Sequence, residues 1–92
     1  MTDGPYEIVV TRPAANTISE ELPEAVAAAV IELITGALLE NPQRMGVPLR
    51  NELEGLWSVR RGTYRILYRI NDSQREVVIL RVAHRRDAYR SM

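Results

Sequence analysis

Residues 49–68 read L-R-N-E-L-E-G-L-W-S-V-R-R-G-T-Y-R-I-L-Y, and the rest of the chain can be placed around them. The run is two β-rich segments with a tight turn at Arg61-Gly62. For a turn of two or four residues, directly opposed positions have numbers that sum to an odd value. Even positions before the turn therefore share a face with odd positions after it. Trp57, Val59, Tyr64, Ile66, Tyr68 and Ile70 then fall on one side, the apolar side that a sheet must bury. Ser58, Arg60, Arg65, Leu67 and Arg69 fall on the other. An outer face with three arginines can read anions, although a strand's outer face also carries charge simply to stay solvated.

The 92 residues suit one domain spanning 1–92, with a single core. An apolar share of 46% is too high for general disorder. There is no cysteine and only one histidine, His84, which excludes disulfides, thiolate metal sites and an intrachain site built from several imidazoles. The longest apolar run, Ala25 to Leu39, is shorter than a membrane span and contains Glu32. The N-terminus lacks a basic segment followed by an apolar one, so a cytoplasmic location and no membrane partner are expected. A net charge of zero conceals two unlike halves. Residues 1–43 carry one arginine against seven acids, and residues 44–92 carry eleven arginines against five, so the halves stand at −6 and +6. All the basic residues are arginine, whose planar fork matches phosphate oxygens and stays protonated. A basic half of this kind favours a phosphate-bearing or acidic partner.

Upstream, Tyr6 to Thr11 reads as a short strand. Pro13, with Thr11 or Arg12 as cap, opens a short helix with Ala15, Ile18 and Leu22 inward, ending at Pro23. A longer helix follows over about 24–40, with Val26, Val30, Leu33, Ile34, Ala37 and Leu38 as its apolar stripe and Glu24, Glu32 and Glu40 in solvent. Gly36 weakens that helix and Asn41-Pro42 stops it. Residues 43–49 read as a loop. After the hairpin, Asn71-Asp72-Ser73 turns the chain into a last strand, Glu76 to Ala83, with Val78, Leu80 and Val82 inward and Val77, Ile79 and Arg81 outward. Continued, that strand would set Arg85 on the face of Arg81 and His84 on the other, before a single turn towards Tyr89. The expected class is α+β, with two helices on one face of a mainly antiparallel four-stranded sheet in the order β-α-α-β-β-β.

No paired carboxylates, nucleophile elbow or Walker loop is present. Arg60, Arg61, Arg65, Arg81, Arg85, Tyr89 and His84 are the remaining candidates. Such a set can cleave RNA without a metal or cofactor, because RNA carries its own nucleophile in the 2′-hydroxyl. Cations would orient the strand and offset charge on the phosphorane oxygens, and a tyrosine or histidine would protonate the leaving 5′-oxygen.

The segment V-P-L-R-N-E-L-E-G-L-W-S-V-R-R-G-T-Y-R-I-L-Y-R-I-N-D, with R-V-A-H-R-R-D-A-Y-R after it, resembles the RelE group of the RelE/ParE toxin superfamily in its actinobacterial form. The likeness runs through nearly the whole chain and is strongest from Pro48 onward. It implies the toxin of a type II toxin–antitoxin pair, cutting messenger RNA in the ribosomal A site without a metal. The implied partners are a cognate RelB-like antitoxin, in an assembly that can reach a heterotetramer, together with ribosome and mRNA. By motif match, Arg65 falls on the phosphate-stabilising arginine, Arg85 on a second catalytic basic residue and Tyr89 on the tail tyrosine of acid–base work or base stacking. Arg60 falls on the last of the alternating basic residues before the turn. The earlier ones correspond to Leu56 and Ser58, and Arg61 is the candidate to replace them; with Arg81 these make an RNA-binding set. His84 is a further acid–base candidate. The glutamate base of YoeB-type toxins falls near Val47 and is absent, which leaves the base unassigned. ParE relatives share the fold but poison DNA gyrase, and a toxin that only binds its antitoxin is a third reading.

Overall fold

The computed structural model describes residues 5–84. A five-stranded sheet carries helices on one face, and its strand order is β1-β5-β4-β3-β2. Its strands are β1 (Glu7–Val10), β2 (Val47–Pro48), β3 (Trp57–Arg61), β4 (Tyr64–Asn71) and β5 (Glu76–His84). Between β1 and β2 come α1 (Arg12–Asn16), a π-helical segment (Thr17–Glu21), α2 (Glu24–Thr35), α3 (Ala37–Glu40) and α4 (Pro42–Met45). A 3-10 turn (Asn51–Leu53) lies between β2 and β3. The β1–β5 pair is parallel and the other three pairs are antiparallel. The α+β class and mainly antiparallel sheet are as expected; the fifth strand, β2, is an addition. It was missed because two residues beside Gly46 and Pro48 read as a turn, and an edge strand tolerates a proline that donates no ladder hydrogen bond.

The hairpin follows the parity rule. Trp57 opposes Tyr68 and Val59 opposes Ile66. The loop is Gly62-Thr63, one residue later than read, and Gly62 takes the left-handed φ of +62° that such a turn requires. Val30, Leu33 and Ile34 of α2, with Leu38 and Leu39 of α3, pack over Val59, Ile66, Tyr68, Val77, Ile79 and Val82 to form the core. Each such side chain contributes on the order of 1.5–3 kcal/mol by leaving water.

Three expected details give way, each for a local reason. In β5 the alternation breaks at Leu80: Tyr68 pairs with Ile79 but Leu67 pairs with Arg81, so Leu80 is skipped as a bulge. Val77 and Ile79, expected outward, are buried core residues, whereas Val78 and Leu80 lie outside the core cluster. Beyond the bulge, Val82 in and Arg81 out hold as read. The Thr11 hydroxyl reaches the bulge, with its oxygen 2.8 Å from the Ile79 carbonyl and 3.2 Å from that of Leu80, instead of capping α1. In the first helix the π-segment replaces the 3.6-residue period, with the Leu22 amide donating to the Thr17 carbonyl at 3.1 Å. The inward position is therefore Ala14, fully buried, and Ala15 is exposed. The long helix is split at Gly36, so Ala37 is exposed while Leu39 is buried. A Cβ on Gly36 would stand 2.9 Å from the Glu32 carbonyl oxygen.

Residues 42–46, expected as loop, form α4 and its exit and are pinned by one side chain. The Tyr68 hydroxyl donates to the Pro42 carbonyl at 2.7 Å and accepts from the Gly46 amide. Burial pushes the Tyr68 phenol up to about 12, partly offset by that amide. Gly46 is needed for space: a Cβ there would overlap the Tyr68 hydroxyl and lie 2.7 Å from the Ser58 carbonyl oxygen.

Candidate nucleic-acid interface

The face of the sheet away from the helices is where the sequence placed its arginines. Arg65 sits in β4, the central strand, between Arg60 of β3 on one side and Ala83 of β5 on the other. Directly opposed side chains have Cβ atoms about 4.5–5.5 Å apart, and like charges so placed are destabilising. No carboxylate among the described residues comes within ion-pair distance of Arg60, Arg65 or Arg69. The Arg60–Arg65 pair therefore sets two like charges on adjacent strands with no compensating carboxylate among the described residues. Ala83 leaves the far flank of Arg65 without bulk. Arg81 shares this face beside Leu67, diagonal to Arg65 at roughly 7–8 Å between strands.

This face is less open than the sequence suggested. Ser58 and Leu67 are buried, at 2% and 0% exposure, and Val78 is at 9%. Arg65 itself is half-buried and Arg60 exposed. An arginine with its stem among apolar neighbours and its head free to turn is held in direction more firmly than one on a bare surface.

Two candidates do not join the cluster. Arg61 shares the helix side with Trp57 and Val59, and its guanidinium lies 4.0 Å from Glu32 of α2. It therefore stands across the sheet from Arg60 and Arg65 and on the other face from Ser58. His84 also turns to the helix side, in an edge-to-face contact with Tyr64 at 5.6 Å between centroids. Arg85, Tyr89 and the expected tail turn lie outside the described residues. Among the described residues, no group of three or more His, Cys, Asp or Glu is arranged to hold a metal, and no helix is long and apolar enough to cross a membrane.

Residues 9–89 match the family described as the ParE toxin of type II toxin–antitoxin systems, parDE. This chain belongs to that family. Within it the toxin has the RelE character that its hairpin motif indicated. It is 49% identical over 88 residues to the protein named Toxin RelE of Mycobacterium tuberculosis, covering 96% of this chain and 90% of the relative. It is 51% identical over 86 residues to Toxin RelG of the same organism, covering 94% and 98% respectively. The toxin also superposes on a chain in the crystal structure of the toxin–antitoxin complex RelBE2 from Mycobacterium tuberculosis. That match has a TM-score of 0.84 and 50% identity, and covers 89% of this chain and all of the other.

The sequence missed the residues that aim the site. Thr11 sets the β5 bulge that turns Arg81 to the arginine face, and Gly46 with Tyr68 sets β2 against β3 behind Ser58. Thr11 acts across 68 residues of sequence and Tyr68 across 26, beyond the reach of local pattern.

Proposed function

We propose that this toxin is a metal-independent endoribonuclease that cleaves messenger RNA on the ribosome and is held inactive by a cognate RelB-like antitoxin. The observation that carries this reading is the half-buried Arg65 directly opposed by Arg60, with no carboxylate among the described residues within ion-pair distance of either. Two guanidinium groups so placed can straddle one phosphodiester. The relatives named RelE and RelG and the RelBE2 complex support the toxin and antitoxin parts of the reading.

In the proposed reaction the RNA 2′-oxygen bonds to the adjacent phosphorus as the bond to the 5′-oxygen breaks, leaving a 2′,3′-cyclic phosphate and a 5′-hydroxyl. A base removes the 2′-hydroxyl proton and an acid protonates the leaving oxygen. Arg65 and Arg60 offset the charge that grows on the non-bridging oxygens. Tyr89 is the proposed acid or base-stacking group and Arg85 a second cation, both by motif match. His84 lies across the sheet from Arg65, so it does not serve this centre without a rearrangement of β5. The described residues offer no strong general base beside Arg65, so the ribosome is assigned the task of holding the 2′-hydroxyl in line.

Arg65→Lys keeps charge and removes the fork. Cleavage of ribosome-bound mRNA should fall by about 10²-fold or more with the fold intact, the scale for loss of one oriented oxyanion donor. Arg69→Lys, exposed on the same face, is the control; equal small losses at both would reduce Arg65 to general attraction and defeat the assignment. The family's ParE description keeps a second target in view, and a gyrase-mediated DNA cleavage assay separates the two.

A further inference from the structure

The ladder between β4 and β5 reaches its end beside the arginine centre, and its last two rungs are Arg65 opposite Ala83 and Tyr64 opposite His84. On the β3 side the start of β4 is tied by the hairpin, whose Gly62-Thr63 loop joins Arg61 to Tyr64. The turn that joins β4 to β5 lies at the far end of the ladder, beyond Asn71 and Glu76. A strand end without its own turn opens easily unless side chains hold it. Support from the helices is thin at this end. A cavity of about 500 Å³ separates the π-helical segment from the adjoining ends of β4 and β5, with Thr17, Glu21, Tyr64 and His84 in its lining. On the wall of that cavity the two half-buried rings of the last rung meet edge to face, with centroids 5.6 Å apart and planes at 71°. Aromatic pairs prefer this arrangement, and one such contact favours the closed form roughly 2- to 10-fold.

We propose that His84 is a positioning residue for the Arg65 centre: its ring, held on Tyr64, keeps the end of β5 laddered to β4 and so fixes the rung that carries Arg65. The inference rests on the endoribonuclease reading and adds to it a residue that does not touch the RNA. His84 stands on the helix side with Tyr64, and Arg65 on the other. It is out of reach of the phosphodiester and one rung away from the residue that holds it. Opening the last rung releases Ala83, and Arg65 then loses its neighbouring strand on one flank. Stabilisation of a growing charge requires the donor to stand where the charge develops, and a misplacement of about 1 Å can cost 10²-fold. The chain also runs from His84 directly into Arg85, the second cation by motif match, so the rung that His84 closes is the one from which Arg85 departs. The contact needs an aromatic ring and no proton transfer, which separates this role from acid–base catalysis by the same side chain.

The test is a cycle of variants of the full-length toxin read in two ways. Amide hydrogen exchange of the purified protein reports on residues 64–66 and 82–84, the end of the ladder. Single-turnover cleavage of mRNA on programmed ribosomes, with affinity for those ribosomes measured alongside, reports on the reaction. His84→Ala and Tyr64→Leu should each speed exchange at this end several-fold while the rest of the sheet stays protected, which separates local opening from loss of the fold. Each should lower the cleavage rate about fivefold with ribosome affinity unchanged. The double variant should be no worse than either single, because both remove the same contact. His84→Phe keeps an aromatic ring and carries no titrating proton, so it should restore exchange and cleavage to within about twofold of wild type. A His84→Phe variant as slow as His84→Ala, additive losses in the double variant, or a loss carried by ribosome affinity alone would overturn the proposal. Exchange is read without RNA. A wild-type toxin that cuts no RNA would therefore sink the endoribonuclease reading, while coupled opening in the variants would keep the ring contact as what holds the strand end. Cleavage indifferent to His84→Ala would sink the positioning role and leave the endoribonuclease reading intact.

Discussion

Removing the Tyr68 hydroxyl tests whether one buried phenol fixes the α4–β2 segment. The ring is fully buried, and its oxygen serves the Pro42 carbonyl at 2.7 Å and the Gly46 amide at once. Tyr68→Phe leaves both backbone groups without that partner, at roughly 1–3 kcal/mol for each group left buried and unsatisfied. Relaxation of an exposed turn should recover part of this, so a loss of about 2 kcal/mol at pH 7 is expected in urea denaturation. The pH dependence adds a signature that packing alone would not give. The phenol titrates near 10 when unfolded and is pushed up to about 12 in the fold, so its contribution is complete below pH 10 and disappears as pH rises towards 12. Linkage puts the decline at about 1 kcal/mol by pH 11 and about 2 kcal/mol by pH 12. Phenylalanine has no proton to lose, so the stability gap between wild type and Tyr68→Phe should close across that window. Every other residue is common to the two proteins, so its contribution cancels in the difference. A gap that stays constant from pH 9 to pH 11.5, or one below about 0.5 kcal/mol at pH 7, would refute the reasoning.

Gly46→Ala should destabilise by about 1–3 kcal/mol in a thermal melt, because the new methyl meets the Tyr68 hydroxyl and the Ser58 carbonyl, and a backbone oxygen cannot swing aside. Thr11→Val keeps the shape and removes the donor to the Ile79 and Leu80 carbonyls, so chemical denaturation should show a loss of about 1 kcal/mol. Arg61→Ala should change stability by less than about 1 kcal/mol, since its pairing with Glu32 is at 4.0 Å and both side chains are well exposed. The same variant should retain mRNA cleavage within a few-fold, and a loss matching that of Arg65→Lys would return Arg61 to the RNA-binding set.

The hairpin was legible because strand periodicity is two whatever surrounds it, and an odd-sum register survives a one-residue error in the turn. That single relation placed Trp57, Ile66 and Tyr68 inside and Arg60 with Arg65 outside, and simple alternation at the end of β5 put His84 and Arg81 on different faces. What failed depended on partners distant in sequence. Leu80 has nothing in its own neighbourhood to mark a bulge; the hydroxyl that takes its carbonyl arrives from Thr11. Ala14 displaced Ala15 because a π-segment, which no residue in Thr17–Glu21 announces, changed the spacing that brings side chains to one face. Arg61, offered as a replacement for the basic residues absent at Leu56 and Ser58, has an odd number before the turn, and the same relation sets it on the side of Trp57 and Val59.

The two faces of the sheet divide the work physically. On one, the α2 and α3 side chains bury Ile66, Tyr68, Val77 and Ile79, and this burial can support unfavourable contacts elsewhere. On the other, Arg60 and Arg65 are directly opposed, an arrangement of like charges that lowers stability on its own and that a phosphate placed as proposed would offset. The bulge at Leu80 links the faces. It lets β5 present Val77 and Ile79 to the helices over its first half and still turn Arg81 and Ala83 to the arginine side over its second. An unbroken alternation would have put either Val77 and Ile79 or Arg81 on the wrong side. The same shift carries Val82 and His84 to the helix side at the strand's end, where His84 meets Tyr64 edge to face. One skipped residue thus sets Arg81 with Arg60 and Arg65 on one face and His84 with Tyr64 on the other, at the end of the same two strands.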